Sequence, residues 1–167
     1  MPKETAAELE GETKYLSFKL GGEDFAIELC RVREIMPLVQ VAAVPLAPEY
    51  VRGVINLRGR VVPVVDLRRK FGLPSEQDHD RKCIIVCDVV HDTRTFAASL
   101  LVDAVSEVTQ IAEADIDPPP VFGAGSDVSF LRGVAKVDGY VKFMLDVDVV
   151  FSSGVLSLAG LEQASPH

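Results

Sequence analysis

The sequence predicts an all-β protein made of two copies of one small barrel-forming unit. Three observations lead to this fold class. Short runs of apolar residues, typical of strands, recur between turn-forming residues every 8–12 positions; long helical periodicity is missing; and the segment that begins at Arg52 recurs at Arg132. Closing each short sheet into a barrel removes exposed strand edges, so two small barrels are favoured over one open sheet.

The first predicted element is a β-hairpin near the N-terminus. Large apolar residues occupy alternate positions over residues 14–20 and again over residues 24–29, and Gly21-Gly22 separates the two runs. Alternation with a period of two is the pattern of a strand with one buried face, and paired glycines suit a tight turn.

A second hairpin is predicted over residues 53–65, where two β-rich runs flank Arg58-Gly59-Arg60. Gly59 can accept the positive φ that a tight hairpin turn requires. Asp66 follows and is interpreted as the N-cap of one helical turn over residues 67–71. Residues 73–80 are polar and rich in turn formers, so a boundary between the two units is expected there.

The second unit repeats this order of elements. Residues 82–89 and 96–102 predict another hairpin, and residues 117–126, rich in proline and glycine, predict an exposed loop. Residues 52–71 align without gaps on residues 132–151 at an offset of 80, with seven identities in 20 positions. The segments that come earlier in each unit, residues 32–35 and residues 105–108, align at an offset of 73. The two barrels are expected to pack into one cooperative body because each is too small for a large core of its own.

The composition bears on partners and location. The formal charge of -8 and the pI near 4.9 oppose binding to nucleic acid or to anionic membranes. No apolar run is long enough to insert into a membrane, so the chain is expected in the cytoplasm with protein partners. Cys30, Cys83 and Cys87 are interpreted as reduced thiols. A metal site on Cys83 and Cys87 is not expected, since four strand residues separate them by about 13 Å.

Catalytic and cofactor-binding motifs are absent from the sequence, so no enzyme activity and no cofactor are predicted. Asp66 and Asp146 could form a carboxylate pair, but each is better explained as a helix cap. Arg58 occupies a hairpin turn where the second unit has Asp138, and it is either a solvated turn residue or an interface anchor. A small-ligand-binding or hydrolytic barrel that uses Asp66, Asp146 or a cysteine remains the alternative class.

Residues 54–59, followed by residues 61–68, resemble the bacterial chemotaxis coupling protein family, CheW, and the resemblance extends from about Lys14 to Phe151. It implies two SH3-like five-stranded barrels on a shared apolar core. It also implies a non-catalytic adaptor that couples the cytoplasmic tips of chemoreceptors to the regulatory domain of the histidine kinase CheA. A same-fold adaptor in a non-motility pathway stays open as an alternative.

The resemblance also assigns residues and boundaries. Its receptor-binding positions correspond to Val32, Glu34, Arg58, Gly53, Val105 and Val108, and it assigns no kinase-binding residue. We expect a disordered tail over residues 1–13, a CheW-like domain over 14–151 and a second tail over 152–167. Within the domain, the first barrel is expected over about residues 14–78 and the second over about 79–151.

Overall fold

The structure, a computed structural model, describes residues 12–119 and 129–151. The predicted C-terminal tail and most of the predicted N-terminal tail and proline-glycine loop lie outside these residues. The first strand begins at Glu12, so the last two residues of the predicted N-terminal tail belong to a strand.

The described residues form eleven strands and two single-turn α-helices, which agrees with the all-β prediction. Short 3-10 turns cover Leu29–Arg31 and Glu113–Asp115. In chain order the elements are β1 (Glu12–Leu20), β2 (Glu23–Glu28), β3 (Val32–Pro37), β4 (Val51–Leu57), β5 (Arg60–Asp66), α1 (Leu67–Lys70), β6 (Cys83–His91), β7 (Arg94–Val102), β8 (Ala104–Ala112), β9 (Ile116–Asp117), β10 (Leu131–Val137), β11 (Tyr140–Leu145) and α2 (Val147–Val150).

Four antiparallel hairpins form where the sequence predicts them: β1-β2, β4-β5, β6-β7 and β10-β11. Each helical turn is capped as predicted. The Asp66 carboxylate accepts hydrogen bonds from the Arg68 and Arg69 amides, and the Asp146 carboxylate accepts them from the Asp148 and Val149 amides. The repeat found in the sequence therefore corresponds to a repeat in local structure.

The strands assemble into two sheets that exchange hairpins between the two units. One sheet has the order β3-β6-β7-β5-β4, and the other has the order β8-β1-β2-β11-β10-β9. The β1-β2 hairpin of the first unit thus lies in the sheet of the second unit, and the β6-β7 hairpin lies in the sheet of the first. Two parallel pairings, β2 with β11 and β5 with β7, complete the exchange.

This exchange corrects the predicted boundary between barrels of residues 14–78 and 79–151, because neither barrel is a continuous half of the chain. The physical cause lies in the connections. The 3-10 turn at Leu29–Arg31 carries the chain from one sheet into the other, and Asp103 alone separates β7 from β8 at the equivalent place. The order of elements along the sequence reveals the repeat, but it does not reveal which sheet each strand joins.

The buried core has three parts, as the alternation of side chains along β6 shows. Ile84 and Val86 face a small cluster enclosed by the five-stranded sheet, whereas Ile85, Cys87 and Val89 face a larger cluster between the two sheets. A third cluster, around Tyr15 and Met144, lies inside the six-stranded sheet. Successive strand residues point to opposite faces, so one strand serves a barrel core and the shared core together. The predicted shared apolar core is therefore present.

Two charged clusters bind the units to each other. Arg68 on α1 donates two hydrogen bonds to Asp103, at 2.9 and 2.8 Å, and Asp103 also accepts the Gly21 amide from the β1-β2 turn. At the equivalent place in the other unit the charges are reversed. Asp148 on α2 pairs with Arg31 and accepts the Val90 amide at 2.8 Å. Each helical turn is thus tied to the strand junction of the opposite unit.

Candidate protein-binding surface

The Glu34 and Arg58 side chains form an ion pair on the five-stranded sheet. Glu34 lies on β3, at one end of the strand order of this sheet, and Arg58 lies in the turn between β4 and β5, at the other end. The two ends meet because the sheet curves into a barrel. The Arg58 Nη2 group donates to Glu34 Oε1. This hydrogen bond lowers the pKa of Glu34, so the carboxylate stays ionised at more acidic pH than an isolated glutamate would. Two of the residues assigned from sequence are thereby brought into contact.

Arg58 has a backbone conformation that its residue type does not favour. Its φ is +52°, in the left-handed region, and Asp138 has φ +53° at the equivalent turn of the second unit. Aspartate and asparagine tolerate this region better than arginine does. The Arg58 side chain is also 71% exposed, so its ion pair contributes little to stability. The fold gives no reason for an arginine here, which favours an interface role.

The three valines assigned from sequence lie on the edge strands of the two sheets. Val32 begins β3, and Val105 lies at the repeat-equivalent position on β8; both are partly buried against the shared core. Val108, opposite Leu16 in the register of β1 and β8, is 52% exposed. The valines therefore divide between the two sheets, and only Val108 offers a largely exposed apolar side chain.

Gly53 has a structural role, and its assignment to the receptor-binding residues stays a prediction. Gly53 is buried and has φ +150°, and a Cβ atom placed on it would lie 2.1 Å from the Ala42 carbonyl oxygen. Ala42 exchanges two backbone hydrogen bonds with Val54. A Cβ on Gly133 would likewise lie 2.5 Å from the Asp117 carbonyl oxygen. In both units the glycine allows a neighbouring backbone to approach β4 or β10.

A polar cluster that the sequence does not predict lies inside the six-stranded sheet. Lys142 is buried; its Nζ atom donates to Ser17 Oγ at 2.6 Å and to Glu107 at 3.2 Å. Glu107 is the repeat equivalent of Glu34, so both edge-strand glutamates pair with a cation of a β-hairpin. The glutamate that both V-x-E segments share could have indicated this cluster. Its partner Lys142 could not be predicted from the repeat, because the first unit has Val62 at the equivalent position.

The alternative class, a catalytic or ligand-binding barrel, gains no support from these residues. The carboxylates of Asp66 and Asp146 are engaged as helix caps. Burial raises the pKa of the Cys87 thiol to about 12, which suppresses the thiolate needed for nucleophilic chemistry. Ser17 contacts Lys142, a pairing some hydrolases use, but Ser17 is fully buried and out of reach of a substrate.

Over residues 12–119 and 129–151, no helix has the length and apolar character needed to cross a bilayer.

The fold and the candidate surface define a class: a two-barrel β protein whose distinctive residues lie on exposed strand edges and turns.

Comparisons with known proteins specify the family. The model of the CheW-like domain matches residues 14–155. The chain is 36% identical to the chemotaxis protein CheW of Rhizobium meliloti, with 86% of this chain and 90% of that protein aligned. It is 37% identical to CheW of Helicobacter pylori, over 77% and 81% of the two chains. The crystal structure of the scaffolding protein TtCheW from Thermoanaerobacter tengcongensis superposes with a TM-score of 0.76 and 31% identity, covering 86% of this chain and 94% of that one. The chain belongs to the CheW-like family.

Proposed function

We propose that this chain is a non-catalytic cytoplasmic adaptor that couples chemoreceptors to the histidine kinase CheA in a signalling array. Family membership supports the coupling role. The single observation that carries the binding assignment is Arg58, an exposed arginine held at positive φ where the repeat has aspartate. Arginine is common among interface anchors because its planar head offers five donors.

The receptor surface that we propose centres on the Glu34–Arg58 ion pair. The family resemblance implies that the partner is the helical hairpin of a chemoreceptor tip, and an apolar stripe on that hairpin would suit a surface that combines valines with a few polar anchors. Val32, Val105 and Val108 supply apolar contacts on the two edge strands. Gly53 acts indirectly, by allowing Ala42 to pack against β4. The regulatory domain of CheA binds elsewhere on the barrels, through residues that we do not assign.

The test is the substitution Arg58→Glu, which reverses the charge of the proposed anchor and places it beside Glu34. We expect at least a tenfold loss of co-sedimentation with receptor-containing membranes. The circular dichroism spectrum should not change, because Arg58 is largely exposed. Lys136→Glu is the matched control: it makes the same charge change in the equivalent hairpin of the other sheet, also at an exposed position.

Two results would contradict the proposal. Unchanged receptor binding by Arg58→Glu would remove this residue from the interface. An equal loss with Lys136→Glu would show that total charge, and not the surface around Arg58, governs the interaction.

A further inference from the structure

Lys142 is a buried cation at a place in the six-stranded sheet where the fold does not need one. Its side chain is 6% exposed, and its neighbour Ser17 is fully buried. In the repeat and in the registers of the β1-β2 and β6-β7 hairpins, these two residues correspond to Val62 and Val86, which lie in the apolar core of the five-stranded sheet. Removing an ammonium group from water costs free energy, so packing gives no reason for the lysine.

Lys142 contacts both strands at a β-bulge between β1 and β8. In this pairing Ser17 alone lies opposite two residues, Ser106 and Glu107, which is the two-against-one count of a bulge. The Lys142 Nζ atom donates to Ser17 Oγ at 2.6 Å and to Glu107 Oε2 at 3.2 Å. One ammonium group therefore holds the bulged strand to its partner strand.

The bulge places Val105 and Val108 on the same face of β8. Residues three apart in a regular strand point to opposite faces. The extra residue cancels this alternation, so Val105 lies opposite Phe18 and Val108 lies opposite Leu16. Phe18 and Leu16 both belong to the shared core, and directly opposite residues share a face. The two valines assigned to the receptor surface on β8 therefore depend on the bulge.

The first unit has an equivalent bulge, where the glutamate is paired from outside the barrel. β3 shifts its register on β6 next to Glu34, and Arg58 pairs with this glutamate from the β4-β5 turn. In the second unit the turn residue is Asp138, an anion, which cannot pair with Glu107. Lys142 supplies the missing cation from inside the barrel.

We propose that Lys142 is a positioning residue for the receptor surface. By holding the β8 bulge through Ser17 and Glu107, it keeps Val105 and Val108 on one face. Lys142 does not touch the partner itself, because its side chain is buried. This inference rests on the proposed function, since it takes the chemoreceptor as the partner of the two valines.

The experiment gives the second barrel the apolar pair of the first. In the double variant Ser17→Val/Lys142→Val, the larger side chain at one position offsets the smaller one at the other, so we expect a melting temperature within about 3 °C of wild type, or higher. Amide hydrogen exchange over residues 105–108 should quicken about tenfold. Calorimetry should show about fivefold weaker binding to a soluble cytoplasmic hairpin of a chemoreceptor from the same bacterium. A merely structural role would lower stability and binding together.

Two variants of Glu107, a largely exposed residue, test the same contact without changing the barrel core. Glu107→Ala removes the acceptor and should weaken receptor binding about as much as the double variant does. Glu107→Gln still accepts the hydrogen bond from Lys142 and should bind within about twofold of wild type. A loss with glutamine equal to the loss with alanine would show that the carboxylate contacts the receptor directly, and would overturn the positioning role.

The remaining outcomes separate this inference from the proposed function. Arg58→Glu should lose receptor binding in the same assay. If it does so while the double variant and Glu107→Ala bind normally, the role of Lys142 is refuted and the surface around Arg58 stands. If wild type does not bind the hairpin, the proposed function fails, and the inference fails with it. Unchanged exchange over residues 105–108 in the double variant would also refute the role of Lys142, whatever the receptor does.

Discussion

At the scale of single residues, Gly53 and Gly59 require glycine for different reasons. Gly53 combines positive φ with a backbone oxygen 2.1 Å from the position of a Cβ atom, whereas Gly59 has φ +87° and open space around it. We expect Gly53→Ala to destabilise the protein by about 4 kcal/mol or more, and Gly59→Ala by about 1 kcal/mol. Urea unfolding followed by circular dichroism measures both. Similar losses in the two variants would show that the approach of Ala42 can relax.

Residue roles were predictable from the sequence where their cause is local. Asp66 and Asp146 cap helical turns that begin at the next residue, so their role as caps can be predicted from a segment of about five residues. Gly53 was assigned to the receptor surface by the family resemblance. Its structural constraint comes from Ala42, eleven positions away, and is not visible in the residues next to it.

At the scale of elements, the clusters around Asp103 and Asp148 hold each helical turn against the opposite unit. Arg68 of the first unit and Asp148 of the second unit occupy equivalent positions but carry opposite charges. Each pairs with a residue of the other unit, Arg68 with Asp103 and Asp148 with Arg31, so the two units are complementary in charge. Two copies of the first unit, paired in the same way, would place Arg68 near Arg31, and like charges repel. The ion pairs therefore favour the pairing of unlike units.

The pH dependence of unfolding tests the Asp103 cluster. Burial alone would raise the pKa of Asp103, but hydrogen bonds from Arg68 and the Gly21 amide outweigh burial and lower it. A lowered pKa stabilises the folded state above the pKa of an unfolded aspartate, about 3.9, and this stabilisation is lost as pH falls below that value. We expect Asp103→Asn to cost about 1–2 kcal/mol at pH 7, with the difference from wild type narrowing below pH ~4.

Denaturant unfolding across the pH range measures this effect, and Asp138→Asn is its control. Asp138 lies in an exposed turn at positive φ, where asparagine is equally tolerated, so its loss of charge should leave stability nearly unchanged. A constant difference between Asp103→Asn and wild type down to pH 3 would mean that Asp103 contributes through packing and not through its charge.

At the scale of the whole molecule, the hairpins and the repeat followed from the sequence, but the assembly did not. Alternating residues and turn glycines fix each hairpin locally, which explains why all four were predicted. The pairing of β2 with β11, by contrast, joins Phe25 to Phe143 across more than a hundred positions. Nothing in the spacing of the units distinguishes consecutive barrels from exchanged hairpins, because both arrangements bury the same alternate residues.

The exchange of hairpins predicts that the two halves of the chain depend on each other for folding. Residues 1–78 alone lack the β6-β7 hairpin that separates β3 from β5, and residues 79–167 alone lack the β1-β2 hairpin between β8 and β11. Each half would also expose its side of the shared core. We therefore expect neither fragment to show a cooperative thermal transition by circular dichroism, whereas the co-expressed fragments should co-purify and melt cooperatively. A stable, monomeric fragment of residues 1–78 would contradict the exchanged topology and would restore two consecutive barrels.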